Sequence, residues 1–483
     1  MIRYPHNQQY NMSTTRAIVK NTSVQIIGKI TSTALGLLGL GLMTRYLGPE
    51  KFGWYITTMS FLQFIGILID FGLIPVTAQM LSEPEHDKNK LFRNLIGFRL
   101  TSAIIFLGLA PLLALFFPYP PQVKIAIVIS TLTFLSVAMN QVFIGLYQNK
   151  LQMHLSAIGE NIGRIIFTIG LWLCIKNQAS FLTVMWVVVL NSLIYTICMW
   201  FSARKFTAIS PAFDWNIWKS IIKKMWPVAI SIIFNVVYLR GDTVLLSLFK
   251  SQQEVGIYGA AYRVIDILAQ TAMMLMGVML PLLSYYWSRS LKTEFRKFYQ
   301  QAFDGMMLFA VPLTIGTIIL ADKIMNLVAP EYNAGAPLKI LALAVFGVFL
   351  GSIFGHTAVA INKQKQTIWI YVSDAVLTLA GYLYFIPKFG MYGAAWMTVF
   401  SEFYAGILLL IVIKHYTKEK IQTLTFGKIL LAGVLMGFAL NYLIKLNVIL
   451  LVIIGVLVYG LVLLVTKAIS QETLKEILAI KQK

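Results

Sequence analysis

The chain has 483 residues, 58% of them hydrophobic and 12% charged, with a formal net charge of +21. Soluble domains carry roughly 25% charged residues, so this composition leaves too little polar surface to cover a water-soluble fold of such length. A soluble enzyme, a nucleic-acid binder and a secreted disulfide scaffold are excluded together, and an all-α polytopic membrane protein remains.

The first 20 residues are polar and read as no cleavable signal peptide. A hydrocarbon core of about 30 Å takes roughly 20 apolar residues per helix. Fourteen stretches qualify: 24–46, 54–81, 95–117, 123–147, 155–176, 180–203, 225–249, 256–284, 298–321, 337–361, 367–387, 390–413, 425–444 and 447–466. The connections are short and none holds a separate domain. Pro75, Pro111, Pro281 and Pro312 interrupt spans and imply a kink, with helix termination equally open for Pro75 and Pro281. The spacings Gly351-x-x-x-Gly355 and Gly433-x-x-x-Gly437 read as close helix packing.

Orientation follows from the Lys and Arg residues. With the N-terminus inside and span-edge residues counted with the adjoining segment, inner segments hold 26, outer segments 9, and five lie within spans. That ratio is a positive-inside signal; both ends are expected in the cytoplasm, and the basicity reads as topology rather than nucleic-acid binding. Cys174 and Cys198 sit in apolar runs and form no disulfide framework. The five histidines never fall at metal-ligand spacing.

Self-similarity appears at a separation near 203 residues. Glu50-Lys51-Phe52-Gly53-Trp54-Tyr55 opens the second span and Gln253-Glu254-Val255-Gly256-Ile257-Tyr258 the eighth. Pro111 matches Pro312, and Asn149-Lys150 matches Asn362-Lys363, with Glu160 and Asp374 following at like distances. The expected organisation is an N-terminal lobe of six spans (1–203), a basic cytoplasmic linker (204–224), a C-terminal lobe of six spans (225–414), two extra helices (415–466) and a cytoplasmic tail (467–483). In the tail Leu474, Ile477, Leu478 and Lys481 suit a short interfacial helix. Parallel repeats of this kind are shared by many secondary transporters, whose substrate site lies between the halves.

Leu47-Gly48-Pro49-Glu50-Lys51-Phe52-Gly53-Trp54-Tyr55 followed by Asp70-Phe71-Gly72-Leu73, and Arg240-Gly241-Asp242 followed by Glu254-Val255-Gly256-Ile257-Tyr258-Gly259-Ala260-Ala261-Tyr262-Arg263, resemble the signatures of bacterial polysaccharide-repeat-unit flippases of the Wzx type. These belong to the multidrug/oligosaccharidyl-lipid/polysaccharide exporter superfamily. The resemblance implies a V-shaped, two-lobed MATE-like transporter in the cytoplasmic (inner) membrane. It also implies the cargo, an undecaprenyl-pyrophosphate-linked oligosaccharide carried from inner to outer leaflet. Gly53, Tyr55, Gly256 and Tyr258 carry the match and are expected to be structural, the glycines for close packing and the tyrosines as interfacial anchors.

No P-loop, Gly-x-Ser-x-Gly elbow or metal cluster occurs, so no enzymatic function or cofactor is expected. What remains is charge at membrane depth, each group costing at least about 2.5–3.5 kcal/mol at a helix centre. At about 1.5 Å rise per residue, Arg164 and Arg263 fall near the midplane, Lys29 and Arg99 nearer the inner mouth and Arg240 nearer the outer. These five cations are candidates for the lipid pyrophosphate, which guanidinium binds with paired hydrogen bonds. Internal pairing competes with that role: Glu160 with Arg164 and Arg263 with Asp266 share a helix face, and Asp242 could pair with Arg263 across neighbouring spans. Asp70, Glu160, Asp242, Asp266, Asp304, Asp374 and Glu402 are the intramembrane acids. Asp70, Glu160, Asp242, Asp266, Asp374 and Glu402 are candidates for coupling to H+ or Na+. Expected partners are the lipid-linked oligosaccharide, membrane lipid and other polysaccharide assembly proteins. A cation-coupled multidrug antiporter, a lipid II flippase and a passive membrane scaffold are the alternatives.

Overall fold

In the computed structural model the described backbone covers residues 12–70, 77, 80–81, 87–150 and 152–468, with side chains described over 28–66, 77, 80–81, 87–150, 152–226 and 240–468. Its elements are α1 (Met12–Asp70), α2 (Lys88–Leu115), α3 (Pro121–Asn149), α4 (His154–Lys176), α5 (Phe181–Ala203), α6 (Trp215–Phe249), α7 (Gln252–Ser288), α8 (Lys292–Val328), α9 (Gly335–Ala360), α10 (Ile368–Thr417), α11 (Leu424–Tyr442) and α12 (Val448–Val465). No strand occurs among the described residues. Ten of these helices, judged on described residues, are long and apolar enough to cross a membrane. The chain is therefore a multi-pass membrane protein. Apolar side chains such as Phe438, Val456, Leu457 and Val465 are 65–74% exposed, an arrangement that hydrocarbon tolerates and water does not.

Local chemistry sets the breaks. The first two expected spans both lie on α1, which turns at Gly48 (φ 67°, ψ 173°) just ahead of Pro49. A left-handed residue ends one ladder at little cost only in glycine, and proline is preorganised to start the next. The eleventh and twelfth spans share α10, interrupted at Gly390 (φ 57°, ψ −135°) three residues after Pro387. The Glu254 carboxylate accepts from Met391 N at 2.6 Å and so caps the second half of α10. Asp87 caps α2 by accepting from Asn89 N and Lys90 N, and Ser180 and Ser251 cap α5 and α7. Pro281 does not end a helix: α7 runs through it to Ser288. Pro75 and the 469–483 tail lie outside the described residues.

The chain forms two compact units, one of residues 1–47 and 57–236, the other of 48–56 and 237–483. In the first unit, Phe92, Leu95, Phe143, Tyr147, Met199, Ile221 and Met225 form a buried cluster joining α2, α3, α5 and α6. In the second, the opening turns of the two repeat-related helices pack backbone to backbone. A Cβ on Gly53 would overlap Gln252 O, and one on Gly256 would overlap Pro49 O. The two signature glycines are thus structural, each making room for the carbonyl that precedes the other by four residues. Gly433 and Gly437 face Val311 and Ile319 of α8, as close packing requires. A Cβ on Gly351 itself would meet nothing within 4 Å, but one on Gly406 would lie 3.3 Å from Gly351 N and one on Gly355 3.3 Å from Tyr371 OH, so the helices are close here too.

Candidate functional site

In the first unit the intramembrane charges gather where α1 meets α4. Glu160 lies in the N-terminal part of α4, and its Oε1 accepts from Ser32 Oγ of α1 at 2.6 Å. Lys29 Nζ stands 3.7 Å from the same oxygen and Arg164 Nη2 4.0 Å. Asn161 Nδ2 donates to Gly28 O (2.9 Å) and Ala157 O (2.8 Å), pinning the helices together. The Arg164 guanidinium lies over Gly36, where a Cβ would sit 3.6 Å from Nη1. All three charged side chains are partly open, at 43%, 27% and 37% for Lys29, Glu160 and Arg164. Two cations share one carboxylate, so the cluster keeps one positive charge.

The second unit repeats this composition with different helices. Asp266 of α7 stands 3.2 Å from Arg240 Nη2 of α6 and 3.6 Å from Arg263 Nη1 one turn away on its own helix. The Arg240 guanidinium also lies 5.4 Å from the Tyr262 ring centroid, within cation–π range. Again two cations stand within ion-pair distance of one carboxylate, with Asp242 near enough to act on Arg240 electrostatically. The i,i+4 and i,i+3 pairs expected from spacing are present, but each is joined by a cation from a neighbouring helix.

The remaining candidates have their own principal partners. Arg99 is 1% exposed and its Nε donates to Ala138 O at 3.0 Å, so it takes part in the α2–α3 packing. Asp242 does not pair with Arg263. It is fully buried and accepts from Tyr258 OH (2.6 Å), Thr243 N (2.5 Å) and Thr243 Oγ1 (3.1 Å), while Tyr258 OH and Tyr382 OH both lie within reach of Thr398 Oγ1. Tyr258 is therefore no interfacial anchor: a buried carboxylate needs donors, and this tyrosine is one. Asp374, also fully buried, accepts from Ser401 Oγ (2.8 Å) and Thr378 Oγ1 (3.0 Å). Glu402 is half-buried beside Gly347 of α9. Asp304 accepts from Gln300 Nε2 at 3.0 Å. The side chain of Asp70 lies outside the described residues.

Glu160 and Asp374, matched by the repeat, hold matching partners. Each takes one hydroxyl from a neighbouring helix segment, Ser32 or Ser401, and one partner four residues on, Arg164 as an ion pair at 4.0 Å or Thr378 as a hydrogen-bond donor at 3.0 Å. These hydroxyls were missed in the sequence, although Thr378 could have been found from its i,i+4 spacing to Asp374.

The profile of a family described as polysaccharide biosynthesis protein matches residues 18–287. Among curated proteins, a probable low-salt glycan biosynthesis flippase, Agl15 of Haloferax volcanii, is 23% identical over 94% of this chain and 97% of its own length. The uncharacterized membrane protein MJ1068 of Methanocaldococcus jannaschii is 25% identical over 46% of this chain and 45% of its own. Among solved structures, the lipid II flippase MurJ in an inward-closed conformation superposes with a TM-score of 0.76 at 16% identity, covering 91% of this chain and 97% of MurJ. An inward-facing multidrug resistance MATE family transporter of the MOP superfamily gives 0.65 at 12% identity, covering 80% and 94%. The helices thus adopt the MurJ and MATE fold.

Proposed function

The chain belongs to the polysaccharide biosynthesis protein family, and on that premise we propose that it is a flippase carrying a lipid-linked oligosaccharide across the membrane by alternating access. The cargo is an undecaprenyl-pyrophosphate-linked repeat unit destined for a surface polysaccharide, as in the Wzx-type flippases its signatures resemble. Fourteen spans, both ends in the cytoplasm and a place in the cytoplasmic (inner) membrane complete this reading. The chain performs no chemistry on its cargo, and other polysaccharide assembly proteins supply and consume it.

The single observation behind the proposal is that in each unit two cations stand within ion-pair distance of one carboxylate. Lys29 and Arg164 share Glu160, and Arg240 and Arg263 share Asp266. A pyrophosphate diester carries two negative charges, and a guanidinium meets phosphate oxygens with two parallel hydrogen bonds. The 23% identity to an archaeal glycan flippase along nearly the whole chain supports the same class of cargo.

Transport uphill needs coupling to H+ or Na+, without any bound cofactor. Asp242 and Asp374 suit that role because hydroxyls surround them, and a hydroxyl can donate to a carboxylate or turn its oxygen toward a cation. Glu402 lies one residue beyond Ser401, the partner of Asp374.

Proteoliposomes holding fluorescent lipid-linked oligosaccharide, with and without a proton or sodium gradient, provide the test. Arg164→Ala and Arg263→Ala should each slow flipping while the amount of inserted protein stays normal. Unchanged flipping in both variants overturns the assignment, and drug efflux without lipid movement selects an antiporter instead.

A further inference from the structure

Between α5 and the membrane part of α6 the chain makes a strap across the end of the first unit. Ala212 N donates to Arg93 O at 3.0 Å, Asp214 N to Asn94 Oδ1 at 2.7 Å, and Thr207 Oγ1 to Asn89 Oδ1 at 2.7 Å. Lys90 Nζ meets Asp214 Oδ2 at 2.9 Å. The first three turns of α6 then lie with Ile217, Trp218, Ile221 and Met225 against the buried cluster. The opposite face is not the polar one such an amphipathic helix shows to water. It carries Trp215 (60% exposed), Ile222 (42%) and Trp226 (58%), interleaved with exposed Lys219 and Lys223.

Charge tells what covers this face. From Arg204 to Trp226 there are five cations and one acid, and that acid, Asp214, is already held by Lys90. Lys205, Lys219, Lys223 and the neighbouring Arg93 have no acid within ion-pair distance among the described residues. Arg93 and Lys90 line, with Asp87 and Asp214, an open cavity of about 820 Å³ floored by the strap, with Phe213, 66% exposed, at its rim. That volume is within the range that holds a small-molecule headgroup.

We propose that this strap is a binding site for an anionic phospholipid. The phosphate sits by Lys219 and Lys223, with Arg93 of the adjoining cavity adding to the positive field, and the acyl chains lie along Phe213, Trp215 and Trp226. Tryptophan rings are at home at headgroup depth, and lysine stems run along apolar surface while their ammonium groups reach phosphate. Basic segments flanking membrane helices draw anionic lipid in proportion to their cations. The occupant is a lipid rather than a protein because exposed, uncompensated lysines disfavour the desolvated centre of a protein interface.

The test uses the full chain in vesicles of phosphatidylcholine with 20 mol% phosphatidylglycerol, with bromine on the chains of one lipid at a time. Quenching of Trp215 and Trp226 is isolated as the difference between the wild type and W215F/W226F. At equal bromine content the anionic lipid should quench more strongly, and raising salt should narrow the gap. Each cation is worth about fivefold in relative affinity, so R93A/K219A/K223A should lower the anionic preference on the order of 100-fold. Inorganic phosphate should not compete. Equal quenching by both lipids in the wild type overturns the proposal without recourse to any variant. So does a preference that survives the triple substitution in protein of unchanged helicity, or one that appears only when other membrane proteins are added.

Discussion

The mutual packing of Gly53 and Gly256 makes a quantitative prediction about two alanines in one helix. On Gly256 a Cβ would overlap Pro49 O, a backbone atom that cannot rotate aside. Overpacking costs about 1–3 kcal/mol, occasionally more, and a backbone obstacle places this case toward the upper end. On Gly277, also in α7, a Cβ would meet nothing within 4 Å, so alanine there gains roughly 0.5–1 kcal/mol from reduced chain entropy. The two substitutions should therefore differ by roughly 1.5–4 kcal/mol, with opposite signs. Thermal unfolding of the detergent-solubilised protein should show Gly256→Ala falling below the wild type and Gly277→Ala matching or exceeding it. Gly53→Ala should resemble Gly256→Ala, because its Cβ would overlap Gln252 O. The double variant should cost less than the sum of the singles by about 0.5–3 kcal/mol, since either methyl wedges open the same seam. Equal shifts for Gly256→Ala and Gly277→Ala, or full additivity of Gly53→Ala with Gly256→Ala, would refute the packing argument.

Tyr258→Phe removes the hydroxyl 2.6 Å from the buried Asp242 carboxylate and should lower stability by about 1–3 kcal/mol, read by the same unfolding assay; the loss should shrink in an Asp242→Asn background. Glu254→Ala leaves Met391 N without its acceptor, and the lost cap should cost about 0.5–2 kcal/mol, seen as faster amide exchange confined to the residues after Gly390. The Lys90 ammonium holds the Asp214 carboxyl below the ordinary aspartate range, with partial burial opposing and the Asn216 and Ile217 N–H groups assisting. The stabilisation of the strap is therefore present above the ordinary range and lost only as pH falls through the lowered value. Proteolysis of the 204–214 segment should accordingly begin at a higher pH in Lys90→Ala than in the wild type.

What the sequence made legible was local. Apolar runs of membrane length and the Gly-Pro punctuation at Gly48-Pro49 and near Pro387 and Gly390 depend on residues close in the chain, so the helices and their breaks could be read directly. The pairs Glu160–Arg164 and Arg263–Asp266 also followed from spacing on one helix face. The third member of each cluster could not be read, because Lys29 and Arg240 come from other helices and neighbour identity is a tertiary fact. The same limit hid the donors of Asp242: Tyr258 reads as an anchor from its place at a helix start, and only the packing of α6, α7 and α10 turns it inward. Nor does spacing along α2 reveal that Arg99 is buried with its Nε on Ala138 O of α3.

The two charge clusters are hard to explain as ballast. An isolated ion pair neutralises itself, and replacing it with packed apolar side chains is often neutral or stabilising. A second cation adds its own insertion cost of at least about 2.5–3.5 kcal/mol with no second carboxylate in ion-pair contact among the described residues. Inheritance from the repeat does not account for it either. The offset of 203 carries Arg263 to Ser60 and Asp266 to Gln63, and the counterpart of Arg164 beyond Asp374 is Thr378. Where the repeat is kept, at Glu160 and Asp374, the second half satisfies its acid with hydroxyls alone and buries it. The first half leaves its acid partly open beside two cations. Each half thus arrived separately at two cations in ion-pair contact with one acid, an arrangement that the proposed anionic cargo would explain. If that is right, Glu160→Gln should strengthen headgroup binding in the first unit, whereas a purely structural pair would make it resemble Arg164→Ala. Flipping rates measured against cargo concentration separate the two, because tighter binding lowers the half-saturating concentration and a damaged fold does not.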